Sequence, residues 1–301
     1  MDDHSFTKES EARLRELTDL VNGELEKLKD RVLSQAGRQR EIIEAMWYSL
    51  SAGGKRIRPA LVLEFCKVCG GDVKNALPAA CALEMVHTFS LIHDDLPCMD
   101  DDDLRRGKPS CHKAYGEAMA LLAGDALLNL AYEIICQSEG TSAETKLTLI
   151  SELSEAVGVN GMIGGQVIDT CFEEVLSEDQ LLEMYGMKTG ALLGAACRMG
   201  CISAGADPEK IKQAGLYAVK LGLAFQIIDD ILDITGDEKL LGKPIGSDAE
   251  EGKLTYAAIA GIERSRKTAS DLTDEALSIL DRFDDNRFLK ELTVYLLKRD
   301  Y

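Results

Sequence analysis

The sequence predicts an all-α protein, a bundle whose central helices carry polar side chains into an otherwise apolar interior. Only 6 residues of 301 are proline, and long segments with a helical apolar period dominate the chain. Alternating strand-like runs bounded by turns are absent. Glycine joints such as Gly70-Gly71 and Gly164-Gly165 are too short to be linkers. We therefore expect a single domain over residues 1–301.

The predicted helices follow one another with short joints. The first, 8–34, is amphipathic, with Leu17 and Val21 on its apolar side, and the second, 40–51, ends at Gly53-Gly54. Further helices are predicted at 57–69, 74–95, 115–138, 144–159, 162–174, 178–203, 208–235, 249–261, 263–282 and 287–298.

Composition and charge exclude several classes of protein. The hydrophobic fraction of 46% is normal for a soluble protein, and no apolar run is long enough to predict a membrane-spanning helix. The acidic start, Met1-Asp2-Asp3, is unlike a secretory signal peptide and favours a cytoplasmic location. A net charge of -18 disfavours nucleic acid as a partner, whereas clustered Lys and Arg suit a small anionic ligand.

The nine cysteines form no framework of the kind found in small secreted domains, so we expect free thiols in a reducing compartment. Cys66-Lys67-Val68-Cys69 is a lone C-x-x-C, which is a weak zinc or redox signal without a second pair or a nearby histidine. Ordinary buried thiols are the alternative. Cys197 and Cys201 are four residues apart on an apolar helix and are predicted to lie in the core.

An acidic stretch ends the apolar helix predicted at 74–95. Six aspartates occur from residue 94 to residue 103, and Arg105 and Arg106 follow at once. Such like charges repel one another unless cations lie among them, and the two arginines offer planar forks for phosphate oxygens. A solvated acidic loop is the simpler alternative.

A second acidic stretch favours the metal site over the solvated loop. Asp94-Asp95 and Asp229-Asp230 are each followed by a Gly-Lys-Pro tripeptide at the same distance. Each residue of the second copy lies 135 positions after its counterpart in the first, as in 94 to 229 and 107 to 242. Two similar metal-binding helix ends that face one cavity would explain this coincidence.

The second stretch places its polar side chains on one face of a helix. Gln226, Asp229, Asp230 and Asp233 fall at i, i+3, i+4 and i+7, among isoleucine and leucine. Unpaired carboxylates are costly there, which favours metal ligation over a structural role. Oxygen ligands beside a phosphate-like ligand favour Mg²⁺.

The first stretch has a different geometry. Pro97 cannot continue a helix, so Asp94 and Asp95 should end it, and Asp100 to Asp103 should belong to the following loop. The loop must fold back for Asp100 to reach the ion that Asp94 holds.

Further cations and a histidine extend the candidate site. Gly53-Gly54 precedes Lys55 and Arg58, which indicates a pocket for a second diphosphate; a basic helix start is the alternative. Lys188-Thr189-Gly190 interrupts an apolar helix, where a buried lysine needs a reason. His87 lies two helical turns before Asp94, and a core histidine bonded to backbone is the commoner explanation for it.

No Ser-His-Asp or Cys-His pattern predicts acyl transfer, and no P-loop predicts nucleotide binding. The residues indicate metal-assisted chemistry on phosphate-bearing organic substrates.

Together these motifs resemble those of the trans-isoprenyl diphosphate synthases, most closely the bacterial-type farnesyl diphosphate synthases, or geranyltranstransferases. The match spans residues 40–300 in order. Its segments are Gly53 to Pro59, Glu84 to Asp95, Asp100 to Pro109, Gly165-Gln166 with Asp169, Lys188-Thr189-Gly190, Phe225 to Asp233, and Lys243.

The resemblance implies an isoprenoid synthase fold, an antiparallel helix bundle around a central cavity. It also implies a homodimer and three Mg²⁺ ions per active site. Metal-binding roles carry over to two groups of aspartates, Asp94, Asp95 and Asp100 in the first motif and Asp229, Asp230 and Asp233 in the second.

Two substrate sites are implied in the same way. Isopentenyl diphosphate would be held by Gly54, Lys55, Arg58, Arg106 and, as a weaker candidate, His87. The allylic diphosphate would be held by Arg105, Lys188, Thr189, Gln226, Lys243 and Lys253. Catalytic roles fall to Arg105, Lys188, Thr189 and Gln226, which would help the allylic C–O bond to ionise and steady the carbocation; no protein base is required.

The sequence departs from the family's minimal D-D-x-x-D motif. Pro97 and Cys98 act as a two-residue insertion, which makes Asp100 the third acidic member and leaves open which of Asp100 to Asp103 contacts metal. The insertion is typical of bacterial farnesyl and plastid-type geranylgeranyl synthases.

In the family, bulk at four and five residues before the first aspartate limits the product. Here these residues are Ser90 and Phe89. The single aromatic favours farnesyl diphosphate, with fifteen carbons, and geranylgeranyl diphosphate, with twenty, is the alternative.

Two other functions are less favoured by the motifs. A terpene cyclase would not need the site at Lys55, Arg58 and Arg106, and a non-catalytic modulatory subunit should have lost one acidic motif.

Overall fold

The structure, a computed structural model, describes residues 6–171, 176–235 and 254–297. Helices dominate these ranges, so the all-α prediction is confirmed. Those ranges contain α1 (Lys8–Ser34), α2 (Arg40–Leu50), α3 (Ile57–Val68), α4 (Val73–Asp94), α5 (Cys111–Tyr115), α6 (Glu117–Gln137), α7 (Ala143–Val157), α8 (Met162–Cys171), α9 (Glu178–Tyr185), α10 (Ala191–Ser203), α11 (Pro208–Thr235), α12 (Tyr256–Ala260), α13 (Ile262–Leu280) and α14 (Arg287–Leu297).

A small hairpin interrupts the loop predicted after residue 100. Strands β1 (Leu104–Arg105) and β2 (Lys108–Pro109) pair antiparallel, with Arg105 opposite Lys108. The two residues between the strands, Arg106 and Gly107, both have positive φ, at 54° and 75°. Two successive positive φ angles are the mark of a tight hairpin turn whose twist matches that of its strands.

The helix predicted over 178–203 is not a uniform α-helix. A π-helical segment, Gly186–Gly190, separates α9 from α10 and contains Lys188 and Thr189. A second difference is the short α5, which Gly116 separates from α6 with a φ of 84°. Single-turn π segments inside α-helices often mark functional sites.

The core is built around α3, α4, α10 and α11, which pack against one another. Helices α3 and α4 are apolar on nearly every side, and 12 of the 22 residues of α4 are buried. A helix that is hydrophobic all round belongs in the interior. The central helices therefore run through the core, and the polar ends of α3 and α4 meet the candidate site.

One helix of the described residues, α6, is long and apolar enough to cross a membrane by length and composition alone. Core helices of soluble proteins pass the same test. Helix α6 packs mainly on α4, and Ala123 and Leu127 are fully buried. Its remaining apolar residues include Leu121 and Leu122, which are exposed.

Two site predictions, Lys243 and Lys253, lie outside the described residues, as do 249–253 of the helix predicted over 249–261. Helix α12 occupies 256–260 of that range.

Candidate active site

The first acidic motif forms where α4 ends. Helix α4 ends at Asp94, and Pro97 lies just beyond this end, as predicted. The backbone N–H of Asp100 donates to the carbonyl oxygen of Asp94 at 2.9 Å. The loop therefore folds back and brings Asp100 beside Asp94, as the metal hypothesis requires.

Asp94 lies in a largely desolvated position. Gln166 on α8 donates from Nε2 to Oδ1 of Asp94 at 3.0 Å. Burial raises the pKa of Asp94 to about 6, Lys188 opposes the rise, and the charge of Asp100 adds to it. A carboxylate that burial and like charges disfavour is a fitting ligand for a cation.

Asp95 points to the other side of the helix end and is buried. Arg105 donates from Nε to Oδ1 of Asp95 at 2.8 Å, and its Nη2 also contacts Asp102 at 2.8 Å. In this arrangement Arg105 bridges the helix end and the loop. The ion pair fixes Arg105 next to the motif, where the sequence predicts an allylic diphosphate.

The rest of the acidic loop is exposed but paired. Lys113 on α5 lies 2.7 Å from Asp103 and 3.9 Å from Asp101. His112 contributes a longer contact of 3.8 Å to Asp101. Asp101 to Asp103 thus serve to anchor the loop, and Asp100 is the loop aspartate closest to Asp94 along the backbone.

The second acidic motif lies on α11. Asp229 is half-buried, whereas Asp230 and Asp233 are 3% and 4% exposed. Oδ2 of Asp230 accepts hydrogen bonds from the Tyr185 hydroxyl at 2.7 Å and from the Tyr256 N–H at 2.8 Å. Asp230 therefore joins α11 to α9 and α12, a role that the sequence did not predict. Of Asp229, Asp230 and Asp233, Asp229 is the one that is half-buried.

Within 6–171, 176–235 and 254–297, no three His, Cys, Asp or Glu side chains converge in a ready-made metal cluster. Mg²⁺ commonly takes only a few carboxylates and completes its shell with water and substrate phosphate. The desolvated Asp94 and the half-buried Asp229 on separate helices fit an ion of this kind.

The π segment presents two of the predicted residues. Lys188 Nζ forms an ion pair with Asp169 on α8, and the Thr189 hydroxyl donates to Oε1 of Gln226 at 2.9 Å. A side chain at Gly165 would collide with the backbone nitrogen of Lys188. Close packing of α8 on the π segment therefore positions Lys188.

Sequence reasoning assigned no role to Gln166 or Asp169, although both stood in the matched motif. Their side chains hold Asp94 and Lys188 respectively. The signal available in the sequence was the spacing of two polar residues three apart, on one face of an otherwise apolar helix.

A basic pocket of about 190 Å³ lies beside the start of α3 and includes Lys55, Arg58, His87 and Arg106. The Nε of Arg58 is buried without a hydrogen-bond partner, and burial lowers the pKa of this guanidinium. His87 Nε2 lies 3.4 Å from Arg58, and burial followed by the charge of Arg58 holds the pKa of His87 well below its usual value. A half-buried cation beside a neutral histidine suits the binding of an anion.

Gly54 and Arg106 fit together tightly. Arg106 donates to the carbonyl oxygen of Gly53, and a Cβ at Gly54 would lie 2.8 Å from the Arg106 guanidinium carbon. The φ of Gly54 is +122°, which L side chains rarely adopt. Lys55 is exposed, with its ammonium 5.1 Å from the centre of the Tyr295 ring.

A second cavity, of about 580 Å³, adjoins the basic pocket and shares Arg58, His87 and Thr189 with it. Asp94 and Lys188 lie on its wall, and its lining is otherwise largely apolar. Phe89 and Ser90 contribute to the same wall. The geometry thus joins a cationic pocket to an apolar chamber that has the Asp94 carboxylate and the Lys188 ammonium on its wall.

Comparison with known proteins gives one consistent family. The profile of the polyprenyl synthetase family matches residues 39–295. A protein named geranylgeranyl pyrophosphate synthase 11, chloroplastic, from Arabidopsis thaliana is 50% identical over 252 residues, which are 82% of this chain and 71% of that protein.

Two solved structures share the fold. A geranylgeranyl pyrophosphate synthetase from Pyrococcus horikoshii superposes with a TM-score of 0.87 at 32% identity, covering 97% of this chain and 99% of that one. An FPP/GFPP synthase from Zymomonas mobilis has a TM-score of 0.80 at 34% identity, covering 94% and 99%. The isoprenoid synthase fold predicted from the motifs is confirmed.

Proposed function

This chain belongs to the polyprenyl synthetase family and is a prenyltransferase, and on that premise we propose that it is a Mg²⁺-dependent geranylgeranyl diphosphate synthase. It condenses isopentenyl diphosphate head-to-tail with allylic diphosphates until the chain has twenty carbons. The observation that carries the proposal is the pair of joined cavities, because head-to-tail condensation needs two diphosphate sites and an apolar chamber for the growing chain.

The residues divide the work between the two substrates. Arg58, Arg106 and Lys55 bind isopentenyl diphosphate through the basic pocket, where the ligand neutralises the guanidinium of Arg58 and gives its Nε a partner. Arg105 and Lys188 bind the allylic diphosphate near Asp94. Mg²⁺ held by Asp94, Asp100 and Asp229 would supply Lewis-acid stabilisation of the leaving diphosphate.

Ionisation leaves an allylic carbocation in the largely apolar chamber, from which water must be kept out for the cation to survive. The Thr189 hydroxyl lines the chamber, and together with its partner, Oε1 of Gln226, it steadies this charge. The double bond of isopentenyl diphosphate attacks, and the proton that is then lost passes to the departing diphosphate. His87 is half-buried beside arginines that hold its pKa well below the usual value, and it serves in binding rather than as a base.

Product length is the point on which the sequence and the comparisons diverge. Phe89 favours fifteen carbons, yet the 50% identical relative is named a geranylgeranyl synthase. The Phe89 ring packs edge-on against His93, with 5.2 Å between ring centres, and the small Ser90 lines the chamber next to it. An aromatic held to one side beside a small residue supports the longer product.

The test incubates the purified chain with Mg²⁺, labelled isopentenyl diphosphate and dimethylallyl, geranyl or farnesyl diphosphate in turn, and then resolves the products by length. Twenty-carbon product from all three supports the proposal, and Ser90→Phe should shorten the product to fifteen carbons. Accumulation of fifteen-carbon product by the unaltered chain would restore the farnesyl assignment. No incorporation with any partner would overturn prenyl transfer by this chain.

We also propose a homodimer that forms through α6, α7 and α8. Of the eleven exposed large hydrophobic residues in the described chain, six lie between residues 121 and 167, namely Leu121, Leu122, Leu147, Val159, Ile163 and Val167. Leu121, Ile163 and Val167 also line the chamber. A second copy on this face would cover both the apolar residues and the chamber's outer wall.

The cytoplasmic location stays a prediction from the sequence.

A further inference from the structure

Helices α3 and α10 lie side by side and run in the same direction. Arg58 near the start of α3 and Leu193 near the start of α10 line the same basic pocket. Cys69, just after α3, meets Cys201 near the end of α10. The two helices therefore share an active-site end and a distal end, about 18 Å apart for the twelve residues of α3.

The helices approach closely because Gly200 faces α3. A Cβ at Gly200 would collide with the carbonyl oxygen of Val62 and approach the Cβ of Phe65 to 2.8 Å. With no side chain between the backbones, the thiol of Cys201 reaches Cys69, and their sulfur atoms are 3.6 Å apart. A disulfide bond of about 2.05 Å is within reach of modest side-chain rotation.

The two thiols are not equivalent. Cys69 is half-buried, whereas Cys201 is fully buried. The two thiols share a hydrogen bond, and this contact lowers the pKa of Cys69 and raises that of Cys201. Cys66, the other member of the C-x-x-C, donates to the carbonyl oxygen of Asp72 at 3.6 Å, and burial raises its pKa to about 12. Cys69 is thus the more accessible and more readily ionised thiol.

We propose that Cys69 and Cys201 are a reversible dithiol–disulfide pair that reacts with small disulfides such as oxidised glutathione. The Cys69 thiolate attacks oxidised glutathione, forms a mixed disulfide and releases one glutathione thiolate. That thiolate takes the proton of Cys201, whose sulfur then attacks Cys69 and expels the second glutathione. Two protein thiols and one oxidised glutathione become one protein disulfide and two reduced glutathiones.

The disulfide would tie the distal ends of α3 and α10 and would link residues 132 positions apart in the sequence. Closing so long a loop restricts the unfolded chain, so the oxidised protein should resist unfolding more than the reduced protein. Prenyl transfer need not occur for this reaction, and the test below does not depend on it.

The experiment treats the fully reduced full-length chain with oxidised glutathione, blocks the remaining thiols with N-ethylmaleimide and digests without reductant. Trypsin cuts after Lys67 and Arg198, so each of the four thiols at this helix pair lies in a different peptide. The expected product joins peptide 68–74 to peptide 199–210 in mass spectrometry. Dithiothreitol should release it.

Cys69→Ser and Cys201→Ser should each abolish the cross-linked peptide, and Cys66→Ser should retain it as a matched control. A Cys66–Cys69 disulfide in the unaltered chain would overturn the proposal. So would modification confined to mixed disulfides at the exposed Cys98, Cys136 and Cys171.

Thermal unfolding gives a second, independent readout. The oxidised unaltered chain should melt roughly 5 °C above its reduced form, and Cys69→Ser treated in the same way should show no such rise. An unchanged or lower melting temperature after oxidation would contradict a tie between α3 and α10.

Discussion

Arg56 and Arg58 are two residues apart in one basic run, yet the fold gives them opposite functions. Arg56 is 6% exposed and pairs with the buried Glu84 at 2.6 Å, and it also donates to the carbonyl oxygen of Leu50 at 2.5 Å. Arg58 is half-buried, its Nη1 lies 3.4 Å from His87, and its Nε has no hydrogen-bond partner. An incompletely paired guanidinium contributes little to stability, so we propose that Arg58 serves a ligand and Arg56 the fold.

Replacing each arginine by methionine separates these roles. Arg58→Met should leave the free energy of unfolding nearly unchanged, because Nε of Arg58 has no partner and its contact with His87 is long, at 3.4 Å. The KM for isopentenyl diphosphate should rise by roughly 100-fold, since a diphosphate contact of about 3 kcal/mol is lost. Denaturant unfolding and steady-state kinetics measure the two effects. A normal KM would contradict the placement of the second diphosphate.

Arg56→Met is the matched control. It leaves the Glu84 carboxylate buried without its partner, which costs about 3–5 kcal/mol. Equal losses of stability in the two variants would show that neither arginine is reserved for ligand.

At the scale of elements, the π segment shows what backbone packing adds to a motif. Lys188 and Thr189 both belong to Gly186–Gly190, and α8 approaches this segment through Gly165. On the other side, a Cβ at Gly222 of α11 would lie 3.1 Å from the Cα of Gly190. Two glycines on neighbouring helices thus make room for the wider turn that carries Lys188 and Thr189.

Gly165→Ala should therefore displace Lys188 without unfolding the bundle. The added methyl group collides with the Lys188 backbone, and a shift of about 1 Å at a positioning residue lowers turnover by roughly 100-fold. Circular dichroism should report the native helix content. Gly186→Ala is the control, because no atom lies within 4 Å of its added Cβ, and it should keep turnover within about twofold. Equal turnover in the two variants would contradict the packing argument.

The start of α1 is joined to α14, near the other end of the described chain, through the carboxylate of Glu291. Thr7 caps α1 and donates to Oε2 of Glu291 from its hydroxyl at 2.7 Å and from its N–H at 3.1 Å. Burial opposes the charge of Glu291, but the bonds from Thr7 and Ser10 and the contact with Arg287 outweigh it, so the pKa of Glu291 is lowered to about 2. A lowered folded pKa means that the stabilisation is present above the unfolded value near 4.5 and is lost as the pH falls toward 2.

Glu291→Gln tests this linkage between α1 and α14. At pH 7 the variant should lose about 2 kcal/mol of unfolding free energy, because charge-assisted hydrogen bonds become neutral ones. The difference from the unaltered chain should shrink between pH 4.5 and pH 2. Denaturant unfolding at several pH values measures it, with Glu263→Gln at an exposed position of α13 as control. A difference independent of pH would rule out Glu291 as the titrating group.

Helix bounds were predictable because glycines, prolines and apolar periodicity mark them locally. Helix α11 occupies 208–235 as predicted, and α1 occupies 8–34. The π segment was not predictable, since a wider helical turn is selected by tertiary packing at Gly165. The partners of Asp230 were hidden for the same reason: Tyr185 and Tyr256 come from helices distant in sequence.

At the scale of the whole molecule, part of the chamber wall is exposed. Leu121 on α6 and Ile163 and Val167 on α8 are exposed and also line the chamber that we propose receives the allylic chain. Water at such a wall would endanger a carbocation. A second copy that covers α6, α7 and α8 would both remove this surface from water and close the chamber.

Leu122→Glu places a charge on this face, where the side chain is now 52% exposed. In sedimentation analysis, the unaltered chain should be a dimer and the variant a monomer, because burying an unpaired carboxylate costs several kcal/mol. Leu216→Glu on α11, at 42% exposure, is the matched control and should remain dimeric. Dimers in both variants, or a monomeric unaltered chain, would exclude α6 to α8 as the dimer surface. If the chamber wall depends on the partner, monomeric Leu122→Glu should also release more prenyl alcohol per condensation, as water reaches the carbocation.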